Sequence, residues 1–226
     1  MTWDLRHGRW EDVLPLVEAD ALICDPPYGA KVHDVELDRR DASDAAGSTP
    51  GYASWSPADV QRFVTSWSPR IRGWMVAMTS HDLVPAWQTA YEAAGRYAFA
   101  PVVALISGMT VRLGGDGPSS WAIYVMVARP RTKPWSTWGT LPGGYYGARQ
   151  DGAGGGRGKP AWLCNALVRD YSKPGDTIVD PCAGWGTTIQ AAIGNGRKAI
   201  GAEMDEAAYT EARRRLAQGT TMEMFT

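Results

Sequence analysis

Residues 21–28 read Ala-Leu-Ile-Cys-Asp-Pro-Pro-Tyr, and residues 177–188 read Thr-Ile-Val-Asp-Pro-Cys-Ala-Gly-Trp-Gly-Thr-Thr. Each opens as a short apolar run bounded by turn residues, the pattern of a fully buried strand. Each run closes on an acid followed by proline, Asp25-Pro26 and Asp180-Pro181. Buried strands of this kind pair in parallel, and the ligands of an open α/β sheet bind at the carboxyl ends of its strands. Two acid-tipped loops on one edge predict two ligands side by side and a transfer between them.

Reading outward gives alternating strands and helices. Residues 4–16 read as a short strand and a helical turn. Ser56-Pro57 opens a helix, with Ser56 as cap and Pro57 in the first helical position. Residues 74–78 read as a strand and 81–94 as a helix stopped by Gly95. Residues 97–106 and 121–128 read as an antiparallel strand pair. Residues 160–171 form a helical pattern with Trp162, Leu163, Leu167 and Val168 on one face. A helix over 187–193, a strand over 198–202 that leads into Glu203, and a helix capped by Asp205 and running to about Leu216 complete the series. The fold class is α/β: one Rossmann-like domain over residues 1–226, with a mainly parallel, doubly wound sheet and one antiparallel strand pair. Two stretches break the pattern. Residues 31–52 are polar and aperiodic, the composition of a flexible loop or lid. Residues 129–158 carry arginines, aromatics and glycines without a visible core face.

Composition narrows the class. The chain has 226 residues and a formal net charge of -1, so nucleic-acid binding needs a local basic patch rather than a basic average. Three well-separated cysteines without a C-x-x-C pattern read as a reduced, cytoplasmic protein without structural zinc. His7, His33 and His81 show no ligand spacing, and no metal site is expected. No signal peptide or membrane-length apolar run is visible. Tryptophan is abundant, 11 in all, and Trp135 lies beside cations where an exposed ring is able to stack on a base.

The carboxyl-terminal stretch has the logic of a nucleoside site. Gly184 and Gly186 let the backbone approach a ligand, Thr187 and Thr188 start the next helix, and Glu203 ends the following strand at the distance of a ribose-gripping acid, about 20 residues on. A third glycine of the dinucleotide pattern is missing, because position 189 is Ile, and no phosphate-loop lysine is present. The ligand expected is a nucleoside without a pyrophosphate. The amino-terminal stretch suits an amine. Two prolines fix the backbone and remove two donors. Asp25 and the Pro26 carbonyl are then placed to accept both hydrogens of one exocyclic amine, and Tyr28 offers a ring for a planar base.

At these residues the chain resembles the amino-group DNA methyltransferases that use S-adenosylmethionine. Their catalytic motif, (Asp/Asn/Ser)-Pro-Pro-(Tyr/Phe), matches residues 25–28. Their cofactor loop, Asp-Pro-Phe-x-Gly-Ser-Gly-Thr-Thr, is similar to residues 180–188, with Cys182 for the aromatic and Trp185 for the serine. Gly201-Ala202-Glu203 and the Lys159-Pro160…Pro174-Gly175-Asp176 stretch complete the likeness, in the permuted order called the β class. Gly8-Arg9 stands where the family has Gly-Asp, and Glu11 and Asp12 are the substitutes at hand.

The resemblance implies methyl transfer to the N6 amine of a flipped adenine in DNA. Asp25, Pro26, Pro27 and Tyr28 would be catalytic. Asp180, Pro181, Cys182, Ala183, Gly184, Gly186, Thr187, Thr188, Glu203 and Lys159 would hold S-adenosylmethionine. Residues 129–158 sit where β-class enzymes carry target recognition, so Arg131, Lys133, Trp135, Arg149 and Arg157 would contact DNA. A homodimer is compatible with the class. The alternatives are the N4 amine of cytosine, and a binding module with a decayed cofactor site.

Overall fold

The computed structural model describes residues 2–30, 53–108, 120–131, 138–150 and 158–223, with the side chains of 219–223 left out. The strands are β1 (Trp3–His7), β2 (Ala21–Cys24), β3 (Met75–Thr79), β4 (Arg96–Ala98), β5 (Val102–Ser107), β6 (Ala122–Pro130), β7 (Gly144–Ala148), β8 (Thr177–Asp180) and β9 (Lys198–Glu203). The helices are α1 (Trp10–Val13), α2 (Pro57–Trp67), α3 (Val84–Ala93), α4 (Ala161–Tyr171), α5 (Thr187–Gly194) and α6 (Glu206–Glu223). One sheet runs β1-β9-β8-β2-β3-β6-β5-β7, with β4 also on β6. The first five strands are parallel, and β6 runs against β3, β4 and β5.

Helices cover both faces, so β2 and β3 are buried throughout. Leu163, Leu167 and Val168 of α4 and Ile189 of α5 pack one face against Ile23, Val76 and Ile178. Val60, Phe63, Val64 and Trp67 of α2 and Trp87 of α3 pack the other against Leu22, Cys24 and Met75. The capping box expected at the start of α2 is present: Ser56 Oγ accepts from the Asp59 amide and Asp59 accepts from the Ser56 amide. Arg96 bolts the amino edge of the sheet, donating to the carbonyls of Ser68, Ile71 and Gly73.

The structure corrects the sequence reading in two places. The single strand expected over 97–106 is broken at Phe99–Pro101. Arg96 pairs with Pro130 but Val102 with Val125, so the register on β6 slips by one residue across the break. The slip is a bulge, the arrangement that proline tolerates in a sheet. The second correction is β7, which lies inside the stretch read as lacking a core face. It pairs in parallel with β5, Tyr145 packs against the core, and Gly147 sits under the ring of Trp162, where a Cβ would fall 2.4 Å from Cε2.

The topology brings the two motifs together. β8 and β2 are adjacent and parallel, so Asp25 and Asp180 leave the same edge side by side. Beyond that edge stands a wall. Cys24, Ala77 and Met126 lie abreast and Val125 faces Val102, so β5 continues from Val102 to Ser107 roughly 17 Å past the catalytic loop.

Candidate active site

The turn after β2 is held from three sides. The Trp55 amide donates to the Tyr28 carbonyl over 3.0 Å. The Gly29 amide donates to Ser80 Oγ over 3.1 Å, and Ser80 Oγ donates to Asp82 Oδ1 over 2.5 Å. Gly29 is required here, because a Cβ would fall 2.1 Å from Asp82 Oδ2. Ser80 and Asp82 follow β3, the next parallel strand. Their closeness to the motif was legible from the strand order alone, yet nothing in the Thr-Ser-His-Asp sequence announces it.

Asp25 is partnered by Lys159, the residue two before α4. The Lys159 ammonium pairs with Asp25 Oδ2 and stands 4.7 Å from the centroid of the Tyr28 ring. Both side chains reach the surface in part, 18% exposed for Lys159 and 28% for Asp25. Asp25 Oδ1 and the Tyr28 hydroxyl are buried and make no hydrogen bond. Burial opposes the Lys159 charge, but the Asp25 carboxylate and Tyr28 hold the ammonium above the ordinary lysine value. Burial, reinforced by the Asp25 charge, raises the Tyr28 phenol.

The second motif wraps one carboxylate. Glu203 Oε2 accepts from the Gly184 amide over 2.6 Å, and Oε1 from the Asp205 amide over 2.7 Å. Gly184 and Gly186 both take positive φ, +50° and +77°, and a Cβ on Gly186 would lie 3.2 Å from that of Ala212. A Cβ on Gly184 would meet nothing within 4 Å, so the turn faces open space on that side. Asp180 is almost fully buried and accepts from the Cys182 amide over 3.1 Å. Thr187 and Thr188 open α5, and Thr188 is buried against Cys164. Pro181 and Ala183 are buried in the loop, and Cys182 is half-buried.

Electrostatics here are acid-rich. Burial raises Asp180 to about 7, with the charges of Asp25 and Glu203 adding to it while the Cys182 amide and Thr188 oppose. Burial raises Glu203 as well. The thiols of Cys24, Cys164 and Cys182 are pushed up, first by burial and then by the neighbouring carboxylates, so none is a ready thiolate nucleophile. Among the described residues no group of three or more His, Cys, Asp or Glu is arranged to hold a metal ion.

The remaining candidates scatter. Lys133, Trp135 and Arg157, with residues 31–52, lie outside the described residues. Arg131 is placed at the far edge: from Met126 to Arg131 the chain runs roughly 17 Å away from the catalytic loop. There its guanidinium lies 5.6 Å from the Tyr97 ring, beside a shallow groove lined by Ser68, Gly95 and Arg96. Arg149 is on the catalytic side, at the head of the wall, its amide bonded to the Ser107 carbonyl over 2.8 Å. Arg9 pairs with Glu11 over 3.1 Å, and Glu11 lies near enough to act on the Cys182 thiol. Arg215, expected on a solvated face, donates to the carbonyl of Trp185 over 2.6 Å and so ties α6 to the cofactor loop.

Comparison with known proteins agrees with the motifs. Residues 145–214 match the family model described as DNA methylase. The fold is shared with M1.HpyAVI, solved with S-adenosylmethionine (TM-score 0.70, 16% identity, 95% of this chain and 98% of that one). It is shared with the DNA modification methylase TTHA0409 of Thermus thermophilus (TM-score 0.65, 20% identity, 96% and 95%). It is shared also with the cytosine-N4-specific PvuII DNA methyltransferase (TM-score 0.62, 13% identity, 95% and 88%). No curated protein sequence matches the chain. The family-model match and these folds support the amino-group DNA methyltransferase resemblance that the motifs carry.

Proposed function

We propose that this protein is a DNA methyltransferase that moves a methyl group from S-adenosylmethionine to the N6 amine of adenine. The observation that carries the reading is the juxtaposition of Asp25-Pro26-Pro27-Tyr28 with the Asp180–Thr188 loop on adjacent parallel strands. The cofactor supplies an electrophilic sulfonium methyl. The residues present suit it: a glycine turn open to solvent space, Glu203 for the ribose hydroxyls, and the buried Asp180 beside a cationic ligand. Glu11 stands in for the family acid that Arg9 replaces.

The chain's own part is to prepare the amine. An exocyclic amine is a weak nucleophile because its lone pair is delocalised into the ring. Asp25 and the Pro26 carbonyl accept its two N–H hydrogens and localise that pair on nitrogen. As nitrogen becomes positive, the Asp25 carboxylate stabilises it. Tyr28 supports the flipped base, and Trp55 and Ser80 fix the turn that carries both groups. Positioning of two bound reactants accounts for most of the acceleration. The wall of β5, β6 and β7, which carries Arg149, flanks the duplex from which the base leaves. Aspartate rather than serine at position 25 favours adenine over cytosine.

The test uses tritium-labelled S-adenosylmethionine and DNA from a methylation-deficient bacterium, digested to nucleosides after reaction. Label in N6-methyladenosine is the expected result. Label in N4-methylcytosine would move the target to the other amine on the same mechanism. No label despite cofactor binding would overturn DNA as the substrate.

A further inference from the structure

In the free protein, Lys159 makes both contacts that methyl transfer assigns to the target base. Its ammonium pairs with Asp25 Oδ2, where the exocyclic amine belongs, and it lies over the ring of Tyr28, where the base stacks. Two further observations show a site fitted to a second donor. Asp25 Oδ1 is buried without a hydrogen bond, and so is the Tyr28 hydroxyl. The carboxylate is only half satisfied by the lysine.

The surroundings explain why a cation sits there. Asp25 faces Asp180 at the end of β8, and Glu203 beyond it at the end of β9, the thiols of Cys24, Cys164 and Cys182, and the phenol of Tyr28. None of these is a cation. A carboxylate left alone among them would be a partly buried, uncompensated charge, an expensive arrangement. Lysine suits a temporary role: a compact charge on a flexible four-carbon stem. Only that stem has to swing, because Pro160 caps α4 directly behind it.

We propose that Lys159 is a placeholder, whose ammonium fills the seat of the target base in the free protein and withdraws from Asp25 when the base enters. The proposal rests on the methyl-transfer reading. The same oxygen and the same ring do not serve two occupants. Charge gives a second reason: nitrogen becomes positive as the new bond forms, and a cation still on Asp25 would oppose it. Displacement also selects the substrate. Only a base that presents an N–H donor replaces what the ammonium gave Asp25, so a base with a carbonyl at that ring position leaves the carboxylate unpartnered and is refused.

The experiment uses the whole chain with S-adenosylhomocysteine and a duplex that the wild-type protein methylates. The ¹⁵N signal of the Lys159 ammonium, assigned by its loss in Lys159→Met, is followed on adding DNA, and DNA affinity is measured by fluorescence anisotropy. The placeholder predicts that the signal moves or vanishes in the ternary complex. It predicts that Lys159→Met binds DNA at least fivefold more tightly, and that it discriminates less against a duplex with hypoxanthine at the target. Lys159→Gln, which keeps a neutral donor on Asp25, should fall between the two and serves if the methionine variant unfolds. An unmoved Lys159 signal, or weaker binding by both variants, would overturn the placeholder. Label transfer by the wild-type protein tests the reaction separately: an enzyme that methylates DNA with Lys159 still on Asp25 refutes this proposal alone, whereas failure of wild-type transfer refutes the reading beneath it.

Discussion

The amide of Gly184 donates to Glu203 Oε2 over 2.6 Å, joining the turn after β8 to the end of β9. The same carboxylate takes the Asp205 amide at the start of α6. Glu203 therefore shapes the nucleoside site as well as facing it. Hydrogen bonds to a charged group contribute about 1.5–3 kcal/mol each. Replacing Glu203 by Gln turns one acceptor into a donor and sets it against a backbone N–H. We expect affinity for S-adenosylhomocysteine to fall at least 30-fold, about 2 kcal/mol. Isothermal titration calorimetry measures it, and an unchanged affinity would contradict the assignment.

Asp180 makes stability depend on pH. Its folded value, about 7, lies above the unfolded carboxylate value of 3.8, so the folded protein keeps a proton that the unfolded chain has released. That stabilisation is complete below the unfolded value and is lost as pH rises through the folded one. At about 1.4 kcal/mol per unit of pH, the loss between about pH 5 and about pH 8 is on the order of 3 kcal/mol. Glu203, also raised, acts in the same direction. Urea unfolding at both pH values should show the loss in the wild-type protein and a smaller one in Asp180→Asn. Equal slopes for the two proteins would contradict it.

Ser80 and Asp82 act on the motif from the neighbouring strand. Ser80→Ala removes the acceptor of the Gly29 amide, and a buried donor left unsatisfied costs about 1–3 kcal/mol. We expect methyl transfer at saturating DNA to fall about 10-fold or more while cofactor affinity is kept, since Ser80 touches only the base side. Gly29→Ala should be more severe, because its Cβ would enter the Asp82 carboxylate. Rate measurements beside calorimetric titration with the cofactor separate these effects. Loss of cofactor binding in Ser80→Ala would contradict the division of the edge into two sites.

Much of this arrangement was legible in the chain because short buried strands ending in acids are hard to mistake. β2, β8 and β9 with Asp25, Asp180 and Glu203 appear where their patterns place them. The Ser56 capping box and the Asp205 cap followed from local chemistry in the same way. β7 was not legible, because Gly-Tyr-Tyr-Gly-Ala has no β-branched residue and its glycine is shaped by Trp162, which comes later in the chain. The Lys159–Asp25 pair was not legible either. Its partners are separated by 134 residues, and only the adjacency of β2 and β8 brings α4 over the first motif. The far-edge position of Arg131 follows from the reversed direction of β6, which residue types do not encode.

The most direct test of the account is the rate of labelled methyl transfer to adenine by Asp25→Asn, measured beside its affinity for S-adenosylhomocysteine. Asparagine keeps the shape but loses the charge that stabilises the amine nitrogen. The account predicts a rate at least 100-fold lower, about 2.7 kcal/mol of transition-state stabilisation, with cofactor affinity within a factor of about three. A variant that transfers at the wild-type rate, or one that loses activity only because it no longer binds cofactor, would contradict the role given to Asp25.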